Sequence, residues 1–230
     1  MLAIPSDGGR LRPPNRSHLR TAPLSAGGPA LSLIARPLCV PVLRAHLAGP
    51  LSFPDLRAKV RARKASLRAE VPRLRAAACL ERHVLKGMPY TVENELTERG
   101  RGLLAVAVEV EAWLANRPGG PAPLGSNAGK ATVRALLGGW SSGILDELAA
   151  APRSLTELSN AIPELSYPAL ARRLTAMKDT RQVEVRDAAN RHKPYAITSW
   201  GSKVDAVLVA AHRWGLHHGS STRPGNFSGT

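Results

Sequence analysis

Residues 166–179 read SYPALARRLTAMKD, and residues 64–77 read KASLRAEVPRLRAA. On a helical period of about 3.6, Leu170, Leu174 and Met177 form an apolar seam and leave Tyr167, Arg172, Arg173 and Lys178 facing outward. Leu67, Val71 and Leu74 form the matching seam in the earlier stretch. Taken alone, either segment is an amphipathic helix with one core face and one solvated face. The surrounding chain gives the outward faces a use.

The 230 residues are 43% hydrophobic and 21% charged, enough to bury one sizeable core or two small ones. The net charge of +15, with a pI near 11.1, favours a polyanionic partner: DNA, RNA or an anionic membrane surface. A membrane fits poorly, because no stretch approaches the roughly 18–20 apolar residues of a spanning helix. Nor does a basic segment lead into an apolar one at the start. Single-stranded RNA asks for aromatic stacking surfaces, and aromatics are only 4% of the chain.

Cys39 and Cys79 stand apart in apolar surroundings, as buried thiols of a reducing cytoplasm do. His212, His217 and His218 have neither the spacing nor the carboxylate of a metal site, and no cofactor is expected. No enzyme is expected either. The chain has no G-x-S-x-G and no H-E-x-x-H, GSNAGKAT at 125–132 lacks the spacing of a phosphate-cradling loop, and Asp146 and Glu147 are adjacent on a helix and diverge.

Pro, Gly, Ser and Arg dominate residues 1–30, which read as a disordered basic arm carrying Arg10, Arg12, Arg16 and Arg20. Residues 219–230 read as a disordered tail. RPGGPAPLGSNAG at 117–129, with three prolines and four glycines, predicts neither helix nor strand, so 118–129 is a linker between folded units at 31–117 and 130–218. The net charge divides as +3 on the arm, +7 and +4 on the two units, and +1 on the tail. Within the first unit, RAKVRARKASLRAEVPRLR at 57–75 holds eight basic residues and one acid, Glu70. Like charges spaced i, i+3 and i+4 repel along a helix, so an anionic partner would relieve this run.

The two units repeat each other. ALSLIARPLCVPVLRAHLAGPLSFPDL from Ala30 aligns with ATVRALLGGWSSGILDELAAAPRSLTEL from Ala131. Each is read as a helix, a turn at Pro50 or Pro152, and a short helix opened by Ser52 or Ser154. The two amphipathic stretches come next. CLERHVL and TVENELT follow in the first unit, QVEVR and YAIT in the second, each pair a β-hairpin around KGMP or DAANRHKP. A helix from Thr97 to Trp113 or from Thr198 to Trp214 closes each unit, with Gly100 answering Gly201. Three helices and a two-stranded ribbon is the order of a winged helix-turn-helix. The predicted fold is mainly α with small β-hairpin wings (α+β), as two tandem winged helix-turn-helix domains forming a pseudo-dimer.

The ordered series of matches resembles the HxlR-type winged-helix family of bacterial transcription regulators, within the wider MarR-like group. Gly139, Trp140, Ile144, Leu145, Pro152, Leu155, Leu158, Leu165, Ser166, Leu170, Leu174, Pro194, Ile197, Thr198, Gly201 and Trp214 carry the resemblance in the second unit. Leu43, Gly49, Pro50, Phe53, Leu56, Leu67, Leu96, Thr97, Gly100 and Trp113 carry it in the first. The first unit departs from the family at Ala35-Arg36-Pro37, where Gly-Arg-Trp is usual, and at Pro72, which predicts a recognition helix that is bent or starts late.

The resemblance implies a cytoplasmic, nucleoid-associated regulator of double-stranded DNA. Relatives dimerise through terminal helices, and this chain would act as a monomeric pseudo-dimer or as a homodimer. Outward side chains of the third helix of each unit would meet the major groove: Ser166, Tyr167, Arg172 and Arg173, with Lys64, Ser66, Arg68 and Arg75. Wing residues would add phosphate contacts: Arg186, Arg191, His192 and Lys193, with Arg82, His83 and Lys86. A second function class stands beside this one. Trp113, Trp140, Trp200 and Trp214 lie near the terminal helices, where they either fill the interface or line a cleft for a small-molecule effector such as a metabolite or antibiotic. A cleft would make the chain a ligand-sensing or sequestering protein.

Overall fold

A proline decides where the chain first departs from the expected three helices. The computed structural model describes residues 27–85, 90–137, 140–186 and 193–218. The stretch expected as one opening helix is two, α1 (Gly28–Ile34) and α2 (Cys39–Ala45), which meet at 82°. Pro37 cannot donate the bond a continuous helix needs and disfavours helical geometry at Arg36. The second unit divides in the same place, into α6 (Asn127–Leu136) and α7 (Ser141–Ala150). Each wing is therefore preceded by four helices, and the amphipathic stretch is the fourth.

In the first unit, α2 leads through a 3-10 turn to β1 (Leu51–Ser52), α3 (Phe53–Val60) and α4 (Lys64–Ala76). β2 (Leu80–Leu85) and β3 (Thr91–Leu96) form the wing, and α5 (Glu98–Ala115) closes the unit. The sheet order is β1-β3-β2, antiparallel, with Leu80 opposite Leu96 and Leu51 opposite Asn94. In the second unit, α8 (Leu155–Ala161) and α9 (Tyr167–Asp179) precede β4 (Val183–Val185) and β5 (Tyr195–Ile197). A 3-10 turn, Gly201–Val204, leads into α10 (Asp205–His218). The part of β1 is reduced there to one bridge, in which Arg153 and Tyr195 exchange backbone bonds of 2.9 and 2.7 Å. Among the described residues no single helix is long and apolar enough to cross a membrane.

Two boundaries differ from the sequence reading. Helix α1 begins at Gly28, inside the expected arm, and α6 begins at Asn127, inside the expected linker. Ser126 starts α6 by accepting a bond from the Gly129 backbone at 3.0 Å, which outweighs the glycine's low helix propensity. Gly129 is needed there, since a Cβ would lie 2.3 Å from the Pro123 carbonyl oxygen. Residues 1–26 and 219–230 lie outside the described residues.

The units share one hydrophobic core, from Leu31 and Ile34 on α1, through Leu103, Val106 and Val110 on α5, to Val207 and Ala211 on α10. Inside each unit a matched clasp ties the fourth helix to the terminal one. Helix α4 ends with Ala78 in the left-handed region (φ 53°), its amide bonding Arg75 and the next amide, Cys79, bonding Leu74, both at 2.8 Å. Helix α9 repeats this at Arg181 (φ 67°), with bonds to Lys178 and from Gln182 to Met177, both at 2.9 Å. This is a Schellman ending with an ordinary residue at the position that glycine favours. The Thr97 hydroxyl then donates to Ala78 O at 2.7 Å and accepts from the Gly100 amide at 3.0 Å. Thr198 does the same to Arg181 O at 2.9 Å and from Gly201 at 2.8 Å.

Close approach explains both aligned glycines. A Cβ at Gly100 would sit 2.3 Å from Cys79 O, and one at Gly201 would sit 2.1 Å from Gln182 O. Backbone atoms cannot yield as a flexible side chain would. Gly100→Ala and Gly201→Ala are each expected to destabilise the protein by about 1–3 kcal/mol, as overpacking does. A lower urea midpoint at unchanged m-value would show it.

Candidate nucleic-acid interface

Packing of α9 against α6, α8 and β4 buries Leu170, Leu174 and Met177 completely. The opposite face is left to solvent. Ser166, at the N-cap, makes no side-chain capping bond and is exposed, as are Tyr167 (50%) and Arg172; Arg173 is half-buried. Thr175 and Lys178 are also exposed on this helix and extend the face beyond the residues picked from sequence. In the first unit Leu67 and Leu74 are fully buried, Lys64, Ser66 and Arg68 are exposed, and Arg75 is half-buried.

Pro72 does not shorten α4. The helix starts at Lys64 and spans 13 residues, as α9 does. Pro72 lies on the exposed face, as does Arg68, whose carbonyl loses its helical partner, so water can satisfy that group. The single acid of the basic run turns inward. Glu70 is 3% exposed, and Arg36 Nε donates to its two oxygens at 3.0 and 2.9 Å, with Arg73 4.0 Å away. A buried carboxylate needs such a partner. Arg36 therefore anchors α4 to the chain after α1.

On the first wing Arg82 is exposed on β2, opposite Asn94, and His83 pairs with Glu95 at 3.1 Å. On the second, Arg186 is exposed and lies 3.5 Å from Glu184, and Lys193 is exposed. Lys86, Arg191 and His192 lie outside the described residues. Arg57, Arg61 and Arg63 are exposed around the α3–α4 turn. They belong to the charge run read from sequence but were not picked as contacts, because that choice followed the helix face and not the turn before it.

The units meet through α5 and α10, with α1 packed on both. Trp113 and Trp200 stack with centroids 4.3 Å apart and planes 1° from parallel. Each indole N–H donates to the other residue's carbonyl, Trp113 at 3.2 Å and Trp200 at 2.8 Å. Under the repeat, Trp113 corresponds to Trp214 and Trp200 to Arg99. Trp214 donates to Arg99 O at 2.9 Å, and the Arg99 guanidinium lies over its ring at 4.3 Å. The contact is thus reciprocal, as across a two-fold axis. Arg99 was missed from sequence, although its place before the aligned Gly100 was a signal.

Three of the four tryptophans, Trp113, Trp200 and Trp214, are 4–5% exposed in this contact. Trp140 is apart from them, half-buried at the start of α7. A groove of about 570 Å³ runs along α5 and α10, with Glu98, Val106, Glu109, Arg213 and Trp214 among its lining. Among the described residues no group of three or more His, Cys, Asp or Glu could hold a metal ion. Cys39 and Cys79 are buried thiols, both with raised pKa. Burial, then the nearby Glu70, push Cys39 up; burial pushes Cys79 up to about 11 against the opposing charge of Arg99.

Residues 38–118 and 136–223 each match the model of the HxlR-like helix-turn-helix family. No curated protein matches the chain. Among solved structures, the crystal structure of diamide-treated YodB from B. subtilis is 28% identical over 37% of this chain and 85% of that one, with a TM-score of 0.36.

Trp113→Ala and Trp200→Ala are each expected to cost about 3–5 kcal/mol. The double substitution should cost clearly less than their sum in denaturant unfolding, because both remove one stack. Iodoacetamide at neutral pH should label neither thiol until the protein unfolds. Stability should fall as pH rises above about 9, where the thiols of the unfolded chain ionise before the folded ones.

Proposed function

The chain belongs to the HxlR-like helix-turn-helix family of DNA-binding transcription regulators, and from that premise we propose that it engages one double-stranded DNA site with both winged units, as a dimer folded from a single chain. The observation that carries this reading is the reciprocal contact between the units, Trp113 with Trp200 and Trp214 with Arg99. A symmetric dimer would bury two copies of one such pair. Here one chain supplies both, so α4 and α9 are held together without a second subunit. The duplex lies across the exposed faces of α4 and α9, with Ser166, Tyr167, Arg172 and Arg173 toward base edges and Lys64, Ser66, Arg68 and Arg75 beside the other stretch of groove. Arg82 and Arg186, with Lys86, Arg191 and Lys193 beyond them, meet the flanking phosphates. Binding to DNA places the protein with the nucleoid in the cytoplasm.

A second reading concerns control. The groove along α5 and α10 carries Glu98, Glu109 and Arg213 beside Trp214 and lies against the contact that sets the spacing of the units. A small molecule seated there would change DNA affinity, and quenching of Trp214 fluorescence by candidate metabolites tests it. Trp113 and Trp200, closed on each other, would not respond.

Footprinting of the purified chain, monomeric by ultracentrifugation, should protect two half-sites about 34 Å apart or a multiple of that. Protection of a single half-site, or binding only as a two-chain complex, would defeat the single-chain dimer. Arg172→Ala with Arg173→Ala should weaken binding and relax sequence preference, since a bidentate base contact discriminates by about 1–3 kcal/mol. Weaker binding with unaltered preference would assign both arginines to phosphates.

A further inference from the structure

The two helix-turn-helix surfaces share one order of helices and differ in charge, the first strongly basic and the second balanced. Between residues 53 and 76 the first unit holds eight lysines and arginines against two acids; between 155 and 179 the second holds three against three. Of the two acids of the first surface only Asp55 is exposed. Glu70 is buried against Arg36, and Asp55 sits at the start of α3, bonded to Ser52. Arg57, Arg61, Arg63, Lys64 and Arg68 are exposed and make no ion pair among the described residues. Lys64 and Arg68 are spaced four apart on α4, so the surface carries repulsion that a polyanion would release.

Neutral hydrogen-bonding side chains are distributed the other way. On α4 Ser66 is exposed among Ala65, Ala69, Pro72 and Ala76, and the other exposed polar side chains of that helix are cations. The equivalent stretch of α9 exposes Tyr167, Arg172 and Thr175, a hydroxyl, a guanidinium and a second hydroxyl.

Resting on the DNA-binding reading above, we propose that the units divide the work. The α3–α4 surface of the first unit is a phosphate clamp indifferent to sequence, and α9 of the second unit reads the bases. The preferred site is then two protected stretches of duplex, of which only the one under α9 has a defined sequence, and it is not a palindrome.

The test uses the full chain, selection from random duplexes, and affinities over a series of salt concentrations. Each neutralised phosphate contributes about 0.9 to the slope of log K against log salt. Arg57→Ala, Arg61→Ala and Arg68→Ala combined should lower the slope by about 2–3, weaken binding to every duplex by the same factor, and leave the selected sequence unchanged. Arg172→Ala with Thr175→Ala should abolish the selected sequence while lowering the slope by about 1 at most. All five side chains are exposed, and unchanged circular dichroism will show that the fold is intact. A relaxed sequence preference in the first-unit variant, or a slope loss confined to the second-unit variant, overturns the division of labour. A palindromic selected site overturns it as well. Failure of the unaltered chain to bind any duplex would instead defeat the DNA-binding reading, and it would appear before any variant is made.

Discussion

The contact between α5 and α10 fixes everything that lies outside it. A stacked indole pair removes two large apolar surfaces from water, and each ring N–H finds a carbonyl on the other residue, so burial leaves no orphaned donor. The symmetry-related position keeps the Trp214 bond to Arg99 O but replaces the second indole with a guanidinium. A homodimer could not differ between its two copies of one contact. A single chain can, because each copy has its own residues and a short connection keeps the halves at high effective concentration. The mixed pair is what two units with separate sequences in one chain permit.

From that interface, position is transmitted outward through the threonine and glycine clasps. Helices α5 and α10 are the interface helices, and Thr97 at the start of α5 and Thr198 just before the 3-10 turn that leads into α10 are bonded to the residues that end α4 and α9. Each amphipathic helix is thereby held at its C-terminal end by the element that also holds the units together. The left-handed Ala78 and Arg181 are the cost of this tight turn, and it recurs at both places although neither residue is glycine. An arrangement that survives in two diverged copies despite local strain is set by the geometry of the connection and not by the preference of one residue.

Much of this was legible in the sequence because it repeats. Apolar seams, the hairpins, the Thr-x-x-Gly pairs and the terminal tryptophans are local or periodic signals, and seeing each twice fixed their order. Four features were not legible, for separate physical reasons. The splitting of the opening helix of the first unit turns on Pro37, a short break inside an otherwise apolar pattern. The tolerance of α4 for Pro72 depends on which face meets water, which propensity alone does not supply. The pairing of Arg36 with Glu70 joins residues 34 apart in sequence, so a charge count saw one acid among eight cations without seeing that it was already neutralised inside the fold. The tryptophans could be placed near the interface from sequence, but their pairing across the repeat is a tertiary fact.

The same division between inward and outward positions explains how two copies of one scaffold came to carry different surfaces. Leu67 and Leu170, or Leu74 and Met177, must fill equivalent spaces beneath equivalent helices, and a change of volume there is felt throughout a close-packed core. Lys64 and Tyr167, or Pro72 and Thr175, touch no other part of the core, so only a partner constrains them. In a homodimer one sequence must serve both stretches of duplex, and a helix suited only to phosphates would cost the dimer its specificity twice. Fusion removes that coupling. Under the division of labour proposed above, α9 chooses the site, and α4, with its proline and exposed alanines, contributes charge.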